Sequence, residues 1–287
     1  MSASWTSDGL TRAERRLLTP PDSHGALLGT SRLRPSRWAN GGLGVAGLLA
    51  LLAAWWIGTD VLAPSDSFIR QFSPVTAIPK LIALLAQPDL PVHIMVSLRR
   101  VLVGLAFALL VGAPLGLAIG RFRRVNAATS SAFQFLRMIS PLSWMPIAVM
   151  VFGVGDRPIY FMLAFAAIWP IMLNTAEGVR QLQPSWLSLA RSLAATRWEM
   201  LWHVILPGVL GHVLTGLRLA IGIVWIVLVP CEMLGVSAGL GYFILDTRDR
   251  LAYSELMATV LLIGLLGFLL DTAARALYGL ATRSRSA

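Results

Sequence analysis

The sequence predicts an all-α membrane protein with six transmembrane helices and a helical hairpin on the cytoplasmic side. Only 13% of the 287 residues are charged and 56% are hydrophobic, whereas soluble domains carry about 25% charged residues. Long apolar runs recur along the chain, and the basic residues concentrate in every second segment between them. These observations indicate a chain that crosses a bilayer several times.

Each predicted helix was located from its length, because a helix needs about 20 apolar residues to cross the hydrocarbon core. Four runs contain no charged residue, a fifth contains only Arg218, and the sixth is long enough once its interfacial ends are included. The predicted spans are residues 41–59, 101–120, 138–155, 158–176, 200–231 and 256–270.

The basic residues predict that both termini lie in the cytoplasm, since cytoplasmic loops carry an excess of Lys and Arg. With this orientation the inner segments hold about twice as many basic residues as the outer ones. The inner residues are Arg12, Arg15, Arg16, Arg32, Arg34, Arg37, Arg121, Arg123, Arg124, Arg180, Arg191, Arg197, Arg283 and Arg285. The outer residues are Arg70, Lys80, Arg157, Arg248 and Arg250, with Arg99 and Arg100 at a membrane boundary. Topology therefore accounts for the net charge of +10, and no nucleic-acid partner is expected.

Three regions follow from composition. Residues 1–40 are polar and rich in Pro, Ser and Arg, which predicts a disordered cytoplasmic tail. Residues 41–280 form the predicted transmembrane domain, with the hairpin at 178–208, and residues 281–287 form a second cytoplasmic tail. Cys231 is the only cysteine, which excludes a disulfide framework and a Cys-ligated zinc site. No metal site is expected.

The second predicted span carries a stripe of small residues spaced by four. A stripe of this kind lets two helix backbones approach closely in a membrane. It comprises Gly104, Ala108, Gly112, Gly116 and Gly120. The glycines are predicted to pack against another helix or subunit, although Gly and Ala are also common in membrane spans for no specific reason.

Polar residues and prolines within the spans predict a polar path across the membrane. Pro141 and Pro146 remove two backbone donors from the third span, and broken helices of this kind often line such a path. The candidate path residues are Ser140, Pro141, Trp144, Asn174 and Glu232. A plain kink is the alternative for the prolines, and a structural role at the membrane interface is the alternative for Glu232.

Two enzymatic interpretations fail on sequence context. The segment 235–239 matches G-x-S-x-G, but that motif requires a strand, a turn and a helix, and here it follows a membrane helix. A phosphate-binding loop needs G-x-x-x-x-G-K-[ST], yet the only lysine, Lys80, follows Ile78 and Pro79. The chain is therefore expected to have no ATPase site and no bound cofactor of its own.

The hairpin at 178–208 has the strongest local signals. Pro184 suits the first turn of a helix, and the apolar residues from Trp186 to Ala194 follow a 3.6-residue period. Thr196 and Glu199 form a predicted capping box for a second helix after a tight turn at Ala194 and Ala195.

The residues Ser188-Leu189-Ala190-x3-Ala194-x9-Val204-Ile205-Leu206-Pro207 resemble the EAA loop of ABC importer permeases, whose pattern is E-A-A-x3-G-x9-I-x-L-P. Segments 97–104, 151–155, 215–220 and 232–242 resemble the branch of that family that handles nitrate, sulfonates, taurine and bicarbonate. The resemblance covers residues 74–277. It implies an ATPase-coupling loop that contains Ser188, Ala190, Ala194, Ala195, Leu206 and Pro207. Because Ala194 replaces the family Gly, the turn is expected at Ala195 or Thr196 instead.

The resemblance further implies a homodimeric permease subunit in the bacterial inner membrane. Its partners would be cytoplasmic ATPase subunits, which bind the ATP, and a periplasmic or lipid-anchored substrate-binding protein that delivers a small oxyanion. A secondary transporter driven by an ion gradient is the competing class, and it predicts inverted repeats and coupling carboxylates near the midplane. Neither is visible, since Glu232 and Asp271 lie at span ends. A membrane enzyme ranks third.

Overall fold

The computed structural model describes residues 37–64 and 67–283. The chain divides into two units after Leu51, and the described part of the first is helical from Arg37 onward. Most of the predicted disordered tail lies outside the described residues, but its last four residues belong to this helix. At the other end, the last helix continues to Arg283, and residues 284–287 lie outside the description.

The described residues form helices and turns and contain no β-strand. The α-helices are α1 (Arg37–Trp56), α2 (Pro74–Leu85), α3 (Leu90–Arg121), α4 (Arg123–Met138), α5 (Met145–Phe152), α6 (Asp156–Arg180), α7 (Pro184–Ser192), α8 (Arg197–Met200), α9 (Leu206–Glu232), α10 (Leu240–Asp249) and α11 (Tyr253–Arg283). Two π-helical turns, Ile57–Val61 and Leu201–Ile205, follow α1 and α8, and two 3-10 turns are Phe68–Phe72 and Pro141–Trp144.

Four described helices are long and apolar enough to cross a membrane, and a bent helix pair makes a fifth if it is one span, so the predicted count of six is not confirmed. The four are α3, α6, α11 and the continuous helix Arg197–Glu232, which contains α9. The break predicted in the third span is confirmed, and α4 and the segment Pro141–Phe152 meet there at an angle of 89°. The bent pair begins at Arg123, whereas the predicted span begins at residue 138. The first predicted span, 41–59, is helical along its whole length, in α1 and the π-helical turn that follows it.

The glycine stripe of α3 lies against α6. A Cβ built on Gly104 or Gly120 would lie 2.6 Å from the Cβ of Leu163 or Val179, respectively. At Gly116 it would lie 2.5 Å from the Met172 carbonyl oxygen. At Gly112 it would lie 3.1 Å from the Ile168 carbonyl oxygen, so these positions leave little room for any side chain. The stripe therefore permits close contact between two helices of the same chain, where dispersion forces replace the hydrophobic effect.

The main core lies where α3, α6 and α9 meet. Ala108 of α3, Met162 and Ala167 of α6, and Ala220 and Leu228 of α9 are fully buried there. On the α9 side, a Cβ on Gly216 would lie 2.8 Å from the Pro170 carbonyl oxygen, so α9 approaches the backbone of α6 as closely as α3 does. This three-helix core holds the ends of α6 and α9, between which the hairpin lies.

Candidate functional site

The hairpin turns at Ala194, and the expectation of a turn at Ala195 or Thr196 is wrong. Ala194 has φ 56°, whereas Thr196 has φ −67°. The Ala194 N–H donates to the Arg191 carbonyl at 2.9 Å and the Ala195 N–H to the Ala190 carbonyl at 3.0 Å. This pair of bonds is the Schellman motif that ends many helices with a residue in left-handed conformation. Because these two hydrogen bonds fix the turn, Ala194 adopts the left-handed conformation that glycine usually supplies.

We expect Ala194→Gly to stabilise the hairpin by about 1 kcal/mol, because glycine adopts a positive φ without steric cost. Hydrogen exchange of the amides that follow should slow in this variant. Ala190→Gly is the matched control, since the same change within α7 should destabilise it by about 0.5–1 kcal/mol. Faster hydrogen exchange of these amides in Ala194→Gly would show that Ala194 is not strained at this turn.

The predicted capping box is confirmed. The Thr196 N–H donates to Glu199 Oε2 at 2.7 Å, and the Glu199 N–H donates to Thr196 Oγ1 at 3.3 Å. The hydrogen bond from the Thr196 backbone lowers the pKa of the Glu199 carboxyl below its usual range. The cap is therefore retained above the usual pKa of a glutamate and lost as the pH falls through this lowered pKa.

The second helix of the hairpin continues into α9 without interruption. Pro207 lacks an N–H, and its ring would clash with a carbonyl in the preceding turn of a regular helix. The chain widens to a π-helical turn at Leu201–Ile205, in which the Leu206 N–H donates to the Leu201 carbonyl. Leu206 and Pro207 thus lie inside a continuous helix, and movement of the hairpin can be transmitted directly to α9.

The hairpin has an apolar groove that the rest of the described chain leaves open. The groove has a volume of about 640 Å³, and its lining residues are Trp186, Leu189, Ala190, Leu193, His203, Val204, Pro207 and Gly208. Leu189 and Leu193 are 62% and 75% exposed, so this side of α7 faces outward, whereas Ala190 is buried and Leu187 packs against the core. Of the predicted coupling residues, the structure brings Ala190 and Pro207 together in this groove.

The remaining predicted coupling residues do not line the groove. Ala195 lines a different cavity of about 780 Å³ between the hairpin and the end of α3, together with Arg121, Arg191 and Arg197. Ser188 is exposed on α7, and its carbonyl accepts a hydrogen bond from the Ser192 hydroxyl at 3.1 Å. Leu206 is exposed at the start of α9.

The candidate path residues fall at three separate places. Ser140, Pro141 and Trp144 form the break between α4 and α5, where Ser140 is exposed and the buried Trp144 Nε1 has no hydrogen-bond partner among the described residues. Asn174 lies in the contact between α6 and α9 and donates to the Pro170 carbonyl at 2.8 Å. Glu232 is wholly buried, and the groups that donate hydrogen bonds to its carboxylate belong to a buried ion cluster. It therefore does not line an open path.

This buried ion cluster joins α3, α6, α9 and the start of α10. Arg100 Nη1 donates to Glu232 Oε1 and to the Ala238 carbonyl, each at 2.7 Å, and its Nη2 donates to Asp156 Oδ1 at 2.6 Å. Ser97 Oγ donates to the Glu232 carboxylate at 2.8 Å. The Arg100 side chain is 3% exposed. Its guanidinium provides the positive charge for two carboxylates, the wholly buried one of Glu232 and the half-buried one of Asp156.

The loop that contains the G-x-S-x-G match completes this cluster. The Leu240 N–H donates to Ser97 Oγ at 2.9 Å, and the Gly239 N–H donates to His93 Nδ1 at 3.1 Å. Gly239 has φ 122°, and a Cβ there would lie 2.5 Å from Glu232 Cδ, so only glycine fits. The motif is therefore a tight loop over the ion pair, and Ser237 is exposed.

Sequence reasoning missed Ser97, Arg100 and Asp156 as a unit with Glu232. The available signal was an arginine and a glutamate in otherwise apolar helices, with an aspartate at the start of a third helix on the same predicted side. Opposite charges at one membrane depth tend to pair, because an unpaired charge in a membrane is costly.

A known protein family matches most of the region described above. Residues 108–286 match the model of the family described as "Binding-protein-dependent transport system inner membrane component". The chain belongs to this family. It is a multi-pass membrane protein, and the matched residues contain the broken span, the hairpin and Glu232.

Three relatives are similar over most of the chain. The bicarbonate transport system permease protein CmpB of Synechococcus elongatus is 40% identical over 61% of this chain and 63% of its own length. The taurine transport system permease protein TauC of Escherichia coli is 32% identical over 82% of this chain and 86% of its own length. The nitrate import permease protein NrtB of a Synechocystis strain is 35% identical over 63% of this chain and 66% of its own length.

Two solved structures share the fold. A chain of the MetNI methionine ABC transporter in inward-facing conformations aligns with a TM-score of 0.51 at 18% identity, over 63% of this chain and 91% of its own length. A chain of an amino acid ABC transporter aligns with a TM-score of 0.50 at 17% identity, over 77% of this chain and all of its own length. The helical arrangement is thus one that ABC transporter chains adopt.

Proposed function

We propose that this chain is the membrane-spanning permease subunit of an ATP-driven importer. The observation that carries the proposal is the open apolar groove of the hairpin, which contains Ala190 and Pro207 of the EAA-like pattern. Burial of exposed leucine and tryptophan side chains would provide the affinity for a cytoplasmic ATPase subunit. The continuous helix from Arg197 to Glu232 would then carry the motion of the ATPase into the membrane.

The proposed assembly contains two copies of this chain, two ATPase subunits that bind the ATP, and a separate substrate-binding protein. A second copy is supported by α4, which contacts α6 on one face and leaves its polar residues Ser130, Gln134 and Arg137 exposed. Polar side chains at membrane depth require protein or water around them. Two copies that face each other across α4 and the broken span would enclose a central path.

The proposed substrate is a small oxyanion. Bicarbonate, nitrate and the sulfonate group of taurine, the solutes in the names of the relatives, each present oxygen atoms that share negative charge. Purified chain, ATPase and binding protein should therefore take up labelled bicarbonate, nitrate or taurine into proteoliposomes when ATP is supplied on the ATPase side. Uptake that follows an ion gradient without ATP would instead indicate the secondary-transporter class.

The orientation of the chain is part of the proposal, and it rests on the distribution of basic residues. Reporter fusions after Arg124 and after Arg191 should report the cytoplasm, and fusions after Lys80 and after Arg248 should report the exterior. Enzymatic reporters that are active on only one side of the membrane measure this directly. A cytoplasmic signal after Arg248 would place that segment on the inner side of the membrane and contradict the proposed topology.

A further inference from the structure

A cavity between α4 and α6 has one polar wall, formed by a single stripe of α4. Asn126, Ser130, Gln134 and Arg137 follow at intervals of four, four and three residues, so they share one helix face. The cavity has a volume of about 200 Å³. Its other lining residues include Phe133 of α4, Trp169 and Met172 of α6, and a second arginine, Arg180, at the end of α6.

The stripe extends from the Arg180 end of α6 to the middle of that helix. At one end Arg180 Nη2 donates to Asn126 Oδ1 at 2.8 Å. Further along, the rings of Phe133 and Trp169 lie 6.0 Å apart. Arg137 comes one turn after Phe133 and about 16 Å from Asn126 at the usual helical rise. Arg137 therefore lies beside the middle part of α6, a helix long enough to cross a membrane.

The charge of Arg137 has no hydrogen-bond or ion-pair partner among the described residues, and its side chain is exposed. An arginine at this depth is costly in lipid, so it must face water or an anion. The break at Ser140 and Pro141 follows directly, and it frees further backbone groups that lipid cannot satisfy. The polar stripe and the break therefore belong to one water-accessible surface.

We propose that Arg137 attracts and holds the oxyanion substrate at mid-depth of the path. The planar guanidinium matches the planar oxygen arrangement of nitrate or bicarbonate and can also contact a sulfonate. The Gln134 amide provides a neutral donor about one turn away on the same face, and the Ser130 hydroxyl provides another one turn further along. This role rests on the proposed function, and it assigns the selectivity for anions to one residue of this chain.

The first test measures the charge of the cavity without transport. In a Cys231→Ala background, Gln134→Cys provides the only thiol, and it reacts with an anionic or a cationic methanethiosulfonate in membranes that contain the full chain. Arg137→Gln should lower the ratio of the anionic to the cationic rate at least about threefold, since a unit charge about 6 Å away has that effect even in water. Arg123→Gln, at the far end of α4, should leave the ratio unchanged.

Two results in this test would overturn the proposal. One is that Gln134→Cys reacts with neither reagent while the exposed control Ser185→Cys reacts with both, because the cavity would then be dry. The other is a rate ratio that Arg137→Gln does not change. Both results leave the ATPase partner and the fold unaffected, so they are distinguishable from a failure of the proposed function.

The second test uses uptake by the whole assembly. Arg137→Gln should reduce ATP-dependent uptake of nitrate, bicarbonate or taurine at least about tenfold, as expected when one charge-assisted hydrogen bond of about 1.5–3 kcal/mol is lost. Arg137→Lys should retain part of it and Arg123→Gln nearly all of it. Parental uptake by Arg137→Gln would overturn the proposal. If the parent chain carries none of these solutes, the proposed substrate class fails, and the rate ratio still decides whether Arg137 acts on anions.

Discussion

Glu232→Gln is expected to destabilise the folded chain by about 3–5 kcal/mol. Glu232 is wholly buried and its carboxylate accepts hydrogen bonds from Arg100, Ser97 and the Gly241 N–H. A neutral amide leaves the buried guanidinium of Arg100 with only Asp156 as counter-ion, and removing one partner of a buried ion pair has a cost of this size. The yield of monodisperse protein in detergent and its thermal midpoint measure the loss.

Glu177→Gln is the matched control for this substitution. Glu177 pairs with Arg180 at 3.6 Å, but both side chains are about half exposed. An exposed pair contributes about 0–1 kcal/mol, so this variant should behave as the parent chain does. The double variant Arg100→Gln, Glu232→Gln should be less destabilised than the sum of its single variants, because the two sites share one interaction. Equal stability of Glu232→Gln and Glu177→Gln would contradict the structural role of the cluster.

Periodicity and composition predicted those elements whose determinants are local. The capping box at Thr196 depends on residues three apart, and the apolar length of α3, α6, α9 and α11 is a property of each segment alone. The sequence also predicted the break near Pro141, because proline acts within its own turn. It did not predict the 89° bend or the long polar helix before it, since these depend on the packing of α4 against α6.

The buried ion cluster is the part of the structure that local patterns did not predict. Arg100 and Glu232 are separated by 132 residues, and each alone is consistent with a charged side chain at the membrane interface. The helix contacts along α3, α6 and α9 determine which charges meet, and a single sequence contains no direct signal of those contacts. The same reason applies to Ala194, whose left-handed conformation is fixed by hydrogen bonds that no propensity for alanine suggests.

Leu189→Glu is expected to weaken binding of the ATPase subunit about 10- to 150-fold while the chain still inserts normally. Leu189 is 62% exposed and lines the hairpin groove, so it contributes little to folding in the described structure. Burial of a leucine side chain in an interface contributes about 1.5–3 kcal/mol, which corresponds to this range of affinity. Co-purification with the ATPase and ATP-dependent uptake measure the effect.

The control for Leu189→Glu is Ser192→Glu, which adds the same charge to α7 at an exposed serine outside the groove lining. It should retain ATPase binding within about threefold, because an exposed charge away from the contact changes affinity little. Ala194→Trp tests the turn itself, and it should also lose ATPase binding if a docked partner packs against the turn. Parental ATPase binding by both Leu189→Glu and Ala194→Trp would make the hairpin an ordinary element of the membrane surface. The ATP-driven mechanism would then lose the contact through which the ATPase acts on α9.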